Sequence, residues 1–102
     1  LLRRDNQPIG FAEVKARKCD MKTYPTVMIS LSKVIHARML TDVTDLPCYL
    51  ILLYRDGLAR LNFASDFSVG PGGRSDRNDP SDQDVCAYYP NERLQVISQN
   101  TN

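Results

Sequence analysis

The sequence predicts a mixed α/β domain with a central β-sheet, a β-hairpin carrying a Glu-x-Lys pair, and one main helix packed on the sheet. Three observations carry this. Gly10-Phe11-Ala12-Glu13-Val14-Lys15-Ala16-Arg17 alternates bulky or charged residues with small apolar ones, the two-residue period of a strand. Cys48 to Tyr54 is an unbroken apolar run of strand length, and Asp56-Gly57 then turns the chain into a partner strand over Leu58–Ala64. Between them, Leu31 to Asp45 reads as a helix, capped by Ser30 or Ser32 and stopped by Leu46-Pro47.

Taken in order, Leu1–Arg4 pairs with Ile9–Arg17 across Asp5-Asn6-Gln7-Pro8, with Asn6-Gln7 as the loop tip. That register sets Leu2 opposite Phe11, Leu1 opposite Ala12, and the position just before Leu1 opposite Glu13. Phe11, Glu13, Lys15 and Arg17 share one face of the second strand. Ala12, Val14 and Ala16 share the other, which is small, apolar and suited to lie under a helix. Cys19 to Tyr24 is a polar connector, and Pro25 to Ile29 is β-branched and extended. The apolar residues of the helix (Leu31, Val34, Ile35, Ala37, Met39, Leu40, Val43) form no clean stripe, which predicts contact on more than one side. Lys33 falls in its first turn, on the side of Ala37 and Leu40.

The apolar Cys48–Tyr54 run predicts a central strand covered on both faces. Ser65 to Asp84, with Gly70-Pro71-Gly72-Gly73-Arg74 and then Asp76, Asp79, Asp82 and Asp84, reads as a mobile surface loop. No Gly-Lys-Ser/Thr follows its glycines, which excludes a P-loop. Val85–Tyr89 is a short last strand, Pro90–Leu94 a helical turn, and the rest a frayed tail. The expected core is Ala12, Val14, Leu40, Leu50 and Leu52.

A chain of 102 residues is one domain, 1–102, and 42% hydrophobic with 25% charged residues is an ordinary globular balance. No run is long enough for a membrane span, so no membrane role is expected. Cys19, Cys48 and Cys86 are odd in number, far apart and without C-x-x-C, which argues for reduced thiols and a cytosolic setting. The net charge of +1 hides an asymmetry. Residues 1–40 carry eight Lys/Arg against three Asp/Glu, and residues 41–102 carry five against nine. The basic half holds the Glu-x-Lys strand and suits a polyanionic partner. A strand carboxylate can hold a divalent metal, with a lysine two residues on beside the same phosphate. The plainer alternative is that the alternating charges pair in solvent.

The order hairpin, E-x-K strand, extended segment, helix with an early lysine, apolar strand, Asp-Gly turn and strand resembles the PD-(D/E)XK nuclease superfamily. The likeness is to its small Holliday-junction-resolvase-like and phage-encoded members. It covers Leu1 to Phe63 and, more loosely, Val85 to Leu94. Glu13 and Lys15 match the E-x-K, and Lys33 matches the helix residue. The resemblance implies a restriction-endonuclease-like core and metal-dependent phosphodiester hydrolysis of DNA, with Mg²⁺ or Mn²⁺ as cofactor. Glu13, the Val14 backbone carbonyl and an upstream Asp would hold the metal. Lys15 would orient water or stabilise charge on the phosphate, and Lys33 would hold a phosphate oxygen.

Arg17, Lys18, Lys22 and Arg38 are candidates for contacts to the nucleic-acid backbone. His36 is expected to be structural, and Tyr24, Tyr88 and Tyr89 to be buried rather than stacked on bases. Related resolvases act as dimers, and the resemblance places the protein in the cytoplasm of a bacterial or phage-infected cell. The departure is the first acid. Asp5 is the only acid upstream of Glu13, and the hairpin places it about 16 Å away along the ladder at ~3.3 Å per residue. The expectation is therefore that the aspartate lies just before Leu1 and that the domain starts upstream, although another loop register would bring Asp5 closer. Two alternatives stay open: a nuclease-fold module that binds nucleic acid without cutting, and a protein-interaction domain with no nucleic-acid role.

Overall fold

The computed structural model describes residues 1–73 and 83–100. Its strands are β1 (Leu2–Arg4), β2 (Gln7–Ala16), β3 (Thr26–Ser30), β4 (Cys48–Tyr54), β5 (Gly57–Asn62), β6 (Ser68–Gly73), β7 (Gln83–Pro90) and β8 (Gln95–Gln99). One helix, α1 (Leu31–Thr44), follows β3, and a single 3₁₀ turn spans Asn91–Arg93. The strands form a five-stranded sheet in the order β1-β2-β4-β5-β8 and a three-stranded sheet in the order β3-β7-β6. The core lies between them. Leu50, Leu52, Leu61 and Phe63 from the larger sheet meet Val27, Ile29, Ala87 and Tyr89 from the smaller, and Val34 and Ala37 of α1 close one side. Tyr89 is fully buried, and its hydroxyl donates to the Phe63 carbonyl at 2.8 Å, so its polar end is satisfied.

The hairpin forms, but its turn is one residue earlier than expected. Asp5 and Asn6 both have positive φ (51° and 64°) and make up the two-residue loop, with Arg4 paired to Gln7. Asp and Asn tolerate this left-handed conformation, which two-residue hairpin turns require. A bulge between Leu2 and Arg3 shifts the ladder so that Leu2 faces Gly10, where the β1 pairing ends. Glu13 and Lys15 therefore lie beyond the hairpin, on the part of β2 that runs parallel to β4.

The helix closely matches the expected span. Ser30 occupies the N-cap position without a side-chain cap bond, and Asp45 closes the other end in the left-handed conformation, its N–H donating to the Thr41 carbonyl at 2.8 Å. The irregular apolar pattern does not mean contact all round. Val34 and Ala37 are buried, whereas Ile35, Met39, Leu40 and Val43 face solvent. Leu40 therefore leaves the expected core.

β4 likewise differs from its expected two-sided burial: Cys48, Leu50 and Leu52 are buried while Leu53 is exposed. The segment expected as a loop over 65–84 contains β6, paired to β7 from Ser68↔Tyr88 to Gly73↔Gln83. Asp76, Asp79 and Asp82 lie outside the described residues. The tail is strand β8, paired to β5. Every residue of β8 is exposed, Val96 and Ile97 included, and the strand is held by its backbone ladder to β5.

Candidate functional site

The face of β2 that points inward is the charged one. In the parallel ladder Phe11, Glu13 and Lys15 pair with Cys48, Leu50 and Leu52, which are all buried. Residues at one level of a sheet share a face. Glu13, Lys15 and Arg17 therefore sit half-buried at the margin of the core, while Val14 is 61% exposed and Ala16 faces solvent. This reverses the expected orientation, and Val14 is not a core residue. Lysine and arginine tolerate the position because their long stems lie along apolar surface while the charged ends reach water.

Lys33 of α1 reaches this row. Its Nζ lies 2.7 Å from Glu13 Oε1, both side chains about half exposed at 48% and 44%. The pair borders a hollow of about 330 Å³ whose lining includes Phe11, His36, Ala37 and Leu40, so Lys33 is on the helix side expected of it. Lys15 comes next along the strand. Burial lowers its pKa, and the nearby Arg17 and Lys33 charges lower it further, against the opposing effects of Glu13 and Cys86. Arg17 ends the row, donating from Nη2 to the Met28 carbonyl of β3 at 2.7 Å. Lys15 is thus the member of the row that feels two other cations and one carboxylate.

The backbone adds an oxygen. Phe11 N–H donates to the Pro47 carbonyl and Arg17 N–H to the Leu53 carbonyl, so alternate residues 11, 13, 15 and 17 direct their backbone groups at β4. The Val14 carbonyl points the other way, toward the side of β2 where the β1 ladder has already ended at Gly10.

The other candidates are dispersed. Asp5 is in the hairpin turn, six residues from Glu13 counting from Gln7, about 20 Å at ~3.3 Å per residue. Lys18 and Lys22 are exposed on the connector. Arg38 is exposed, with its guanidinium 5.0 Å from the centre of the Phe67 ring and donating to the Ser65 carbonyl at 3.4 Å, beyond the C-terminal end of β5. His36 is exposed on the rim of the hollow. Cys48 is buried, which raises its thiol pKa, and no disulfide joins the cysteines among the described residues.

A second hollow, about 430 Å³, opens at the Arg17 end of the row between the connector, β3 and Tyr54. Arg17, Tyr24 and Tyr88 of its lining were singled out in the sequence reading, whereas Met21 and Tyr54 were not. Tyr24 was expected to be buried and is 63% exposed. Met21, in a connector that reads as polar, is buried, with its N–H bonded to Asp56 Oδ1 and its carbonyl to Asn91 Nδ2. The Tyr-Pro pair at 24–25 was the available signal, since it holds the chain extended after a turn.

The family model described as "Phage putative PDDEXK endonuclease" matches residues 2–97. The chain belongs to this PDDEXK endonuclease family. No curated protein and no solved structure matches it. PDDEXK nucleases generally use divalent metals. Among the described residues no group of three or more His, Cys, Asp or Glu side chains comes together. The Glu13 carboxylate is a hard oxygen donor of the kind Mg²⁺ takes, and one of its oxygens is held by Lys33 at 2.7 Å. No helix among the described residues is long and apolar enough to cross a membrane.

Proposed function

We propose that this PDDEXK domain hydrolyses DNA phosphodiester bonds with a divalent metal, acting on branched DNA. The observation that supports this most is the convergence of Glu13, Lys15 and Lys33, from a strand and a helix twenty residues apart, on one open inner face. A divalent cation held by the Glu13 carboxylate and the Val14 carbonyl would supply Lewis-acid polarisation of the phosphate and a more acidic water. The chain's own residues do the rest. Burial first, and then the Arg17 and Lys33 charges, lower the Lys15 pKa, and an entering phosphate would offset the part that comes from those charges. Lys33, now paired with Glu13, has a second anionic partner in the phosphate. Lys15, two residues along the strand from Glu13, would orient the attacking water and stabilise charge that grows on the phosphate during attack.

The test is a nicking assay on branched DNA with Mg²⁺, run beside calorimetric metal titration. Glu13→Gln keeps the side-chain shape, removes the anionic oxygen and should abolish both metal binding and cleavage. Lys15→Ala should lose cleavage and keep metal binding. Undiminished cleavage by Glu13→Gln overturns the assignment. A second reading, a domain that binds nucleic acid without cutting it, is favoured by the single carboxylate among the described site residues and its existing bond to Lys33. Salt-sensitive DNA binding without cleavage by the wild-type chain would decide for it.

A further inference from the structure

The hollow at the Arg17 end of β2 differs in chemistry from the Glu13 end. Tyr24, Tyr54, Tyr88, Met21 and Met28 line it, with Arg17 at its edge. It is mostly apolar and aromatic, yet two of its large groups stand in solvent, Tyr24 at 63% and Met28 at 41% exposure. Arg17 belongs to both places. It is the last member of the charged row on β2, and its bond to the Met28 carbonyl holds it beside the hollow. Of the five N–H donors of a guanidinium, this is the one hydrogen bond it makes among the described residues. Arg17 is four residues from Glu13, about 13 Å along the strand at ~3.3 Å per residue.

We propose that this hollow binds an unstacked nucleobase of the DNA strand whose phosphates lie on the Glu13–Lys15 row, so that single-stranded, gapped or branched DNA is preferred over intact duplex. This rests on the hydrolase reading for the identity of the bound polymer. Three physical facts argue for a base as occupant. Aromatic rings stack on any base through its π face, and methionine sulfur adds favourable contacts with rings. The volume of about 430 Å³ lies within the range of small-molecule pockets, roughly 300–1,000 Å³, and is ample for one base. The cationic row leads into it, as a backbone-tracking groove leads to a stacking platform in single-strand binders. A base inside a duplex is already stacked, and reaching the hollow would cost its pairing. Asp20 also lines the hollow, and its carboxylate can accept a hydrogen bond from an exocyclic amine of the base.

The test uses the full chain without divalent metal, so that no cleavage intervenes. Two probes of equal length are titrated: a duplex with a short single-stranded gap carrying 2-aminopurine, and the same duplex fully paired. The wild type should bind the gapped probe more tightly and quench its fluorescence. Tyr24→Ala, which removes an exposed ring without opening the core, should weaken gapped binding on the order of tenfold and abolish quenching, with duplex binding unchanged. Tyr24→Phe should behave as wild type. Equal affinity for the two probes, no quenching, or an equal loss on both probes in Tyr24→Ala overturns the proposal. If the wild type never cuts DNA in Mg²⁺ yet shows Tyr24-dependent quenching, the hydrolase reading fails and the base site stands.

Discussion

The two faces of β2 invert what their residue types suggest. One carries Glu13, Lys15 and Arg17 and looks inward over Leu50 and Leu52; the other carries Ala12, Val14 and Ala16 and looks toward solvent. A charged row beside a core is a costly arrangement unless the charges reach water or one another. Here Glu13 and Lys33 pair at 2.7 Å, Arg17 bonds to a carbonyl, and Lys15 carries the cost as a lowered pKa. The outer face bears no such tension. The contrast separates a charged face at the margin of the core from an apolar face turned to solvent.

The sharpest way to break that contrast is Glu13→Gln, which should reduce Mg²⁺-dependent cleavage by at least on the order of 10³-fold in the nicking assay. It should change unfolding free energy by less than about 1 kcal/mol in urea titration, because the Glu13–Lys33 pair is half exposed and surface pairs contribute little. Leu52→Ala, directly paired with Lys15, should show the opposite profile: a loss of about 2–5 kcal/mol of stability from a fully buried site. The two variants together test whether chemistry and stability share one face but different residues.

Lys15→Met sharpens the same face through pH. The native pKa of Lys15 lies below its usual 10.5, so the unfolded chain holds more protons between the two values and stability rises with pH there. The penalty is present in full below the native pKa and fades toward 10.5. Relative to wild type, Lys15→Met should therefore be most favoured at low and neutral pH, with the advantage shrinking as pH rises; a pH-independent difference in chemical denaturation would contradict this.

Tyr89 supplies the opposing slope. Burial pushes its pKa up to about 12 from 10.0, so stability should fall as pH rises through that window, and Tyr89→Phe should remove the fall. At neutral pH the variant should cost about 1 kcal/mol for the lost bond to the Phe63 carbonyl. The smallest effect belongs to the outer face. Val14→Ala should shift stability by no more than about 0.5 kcal/mol and leave cleavage intact, since the Val14 carbonyl is retained.

Much of the local structure was legible. The Leu31–Asp45 helix, the Thr26–Ser30 and Cys48–Tyr54 strands and the hairpin each follow from caps, period and turn residues that act within a few positions. The contact of Lys33 with Glu13 at 2.7 Å was not, since it joins residues twenty positions apart. β6 and β8 were not legible. Gly70-Pro71-Gly72-Gly73 has turn composition, and Gln95–Gln99 is short and exposed despite Val96 and Ile97, yet both are held by backbone bonds to strands distant in sequence, β7 and β5.

The sequence by itself determined that residues 10–17 would be a strand with one charged and one apolar face, because a two-residue period depends only on neighbours. It could not say which face would be inside. Tertiary structure decided that through the register Glu13↔Leu50 and Lys15↔Leu52: in a sheet all strands share their two sides, so the buried side of β4 became the side of β2 that carries the charges. The same pairing brought Arg17 to Met28 and assembled the tyrosine-lined hollow from the connector, β3, β4 and β7, segments whose proximity no local pattern encodes.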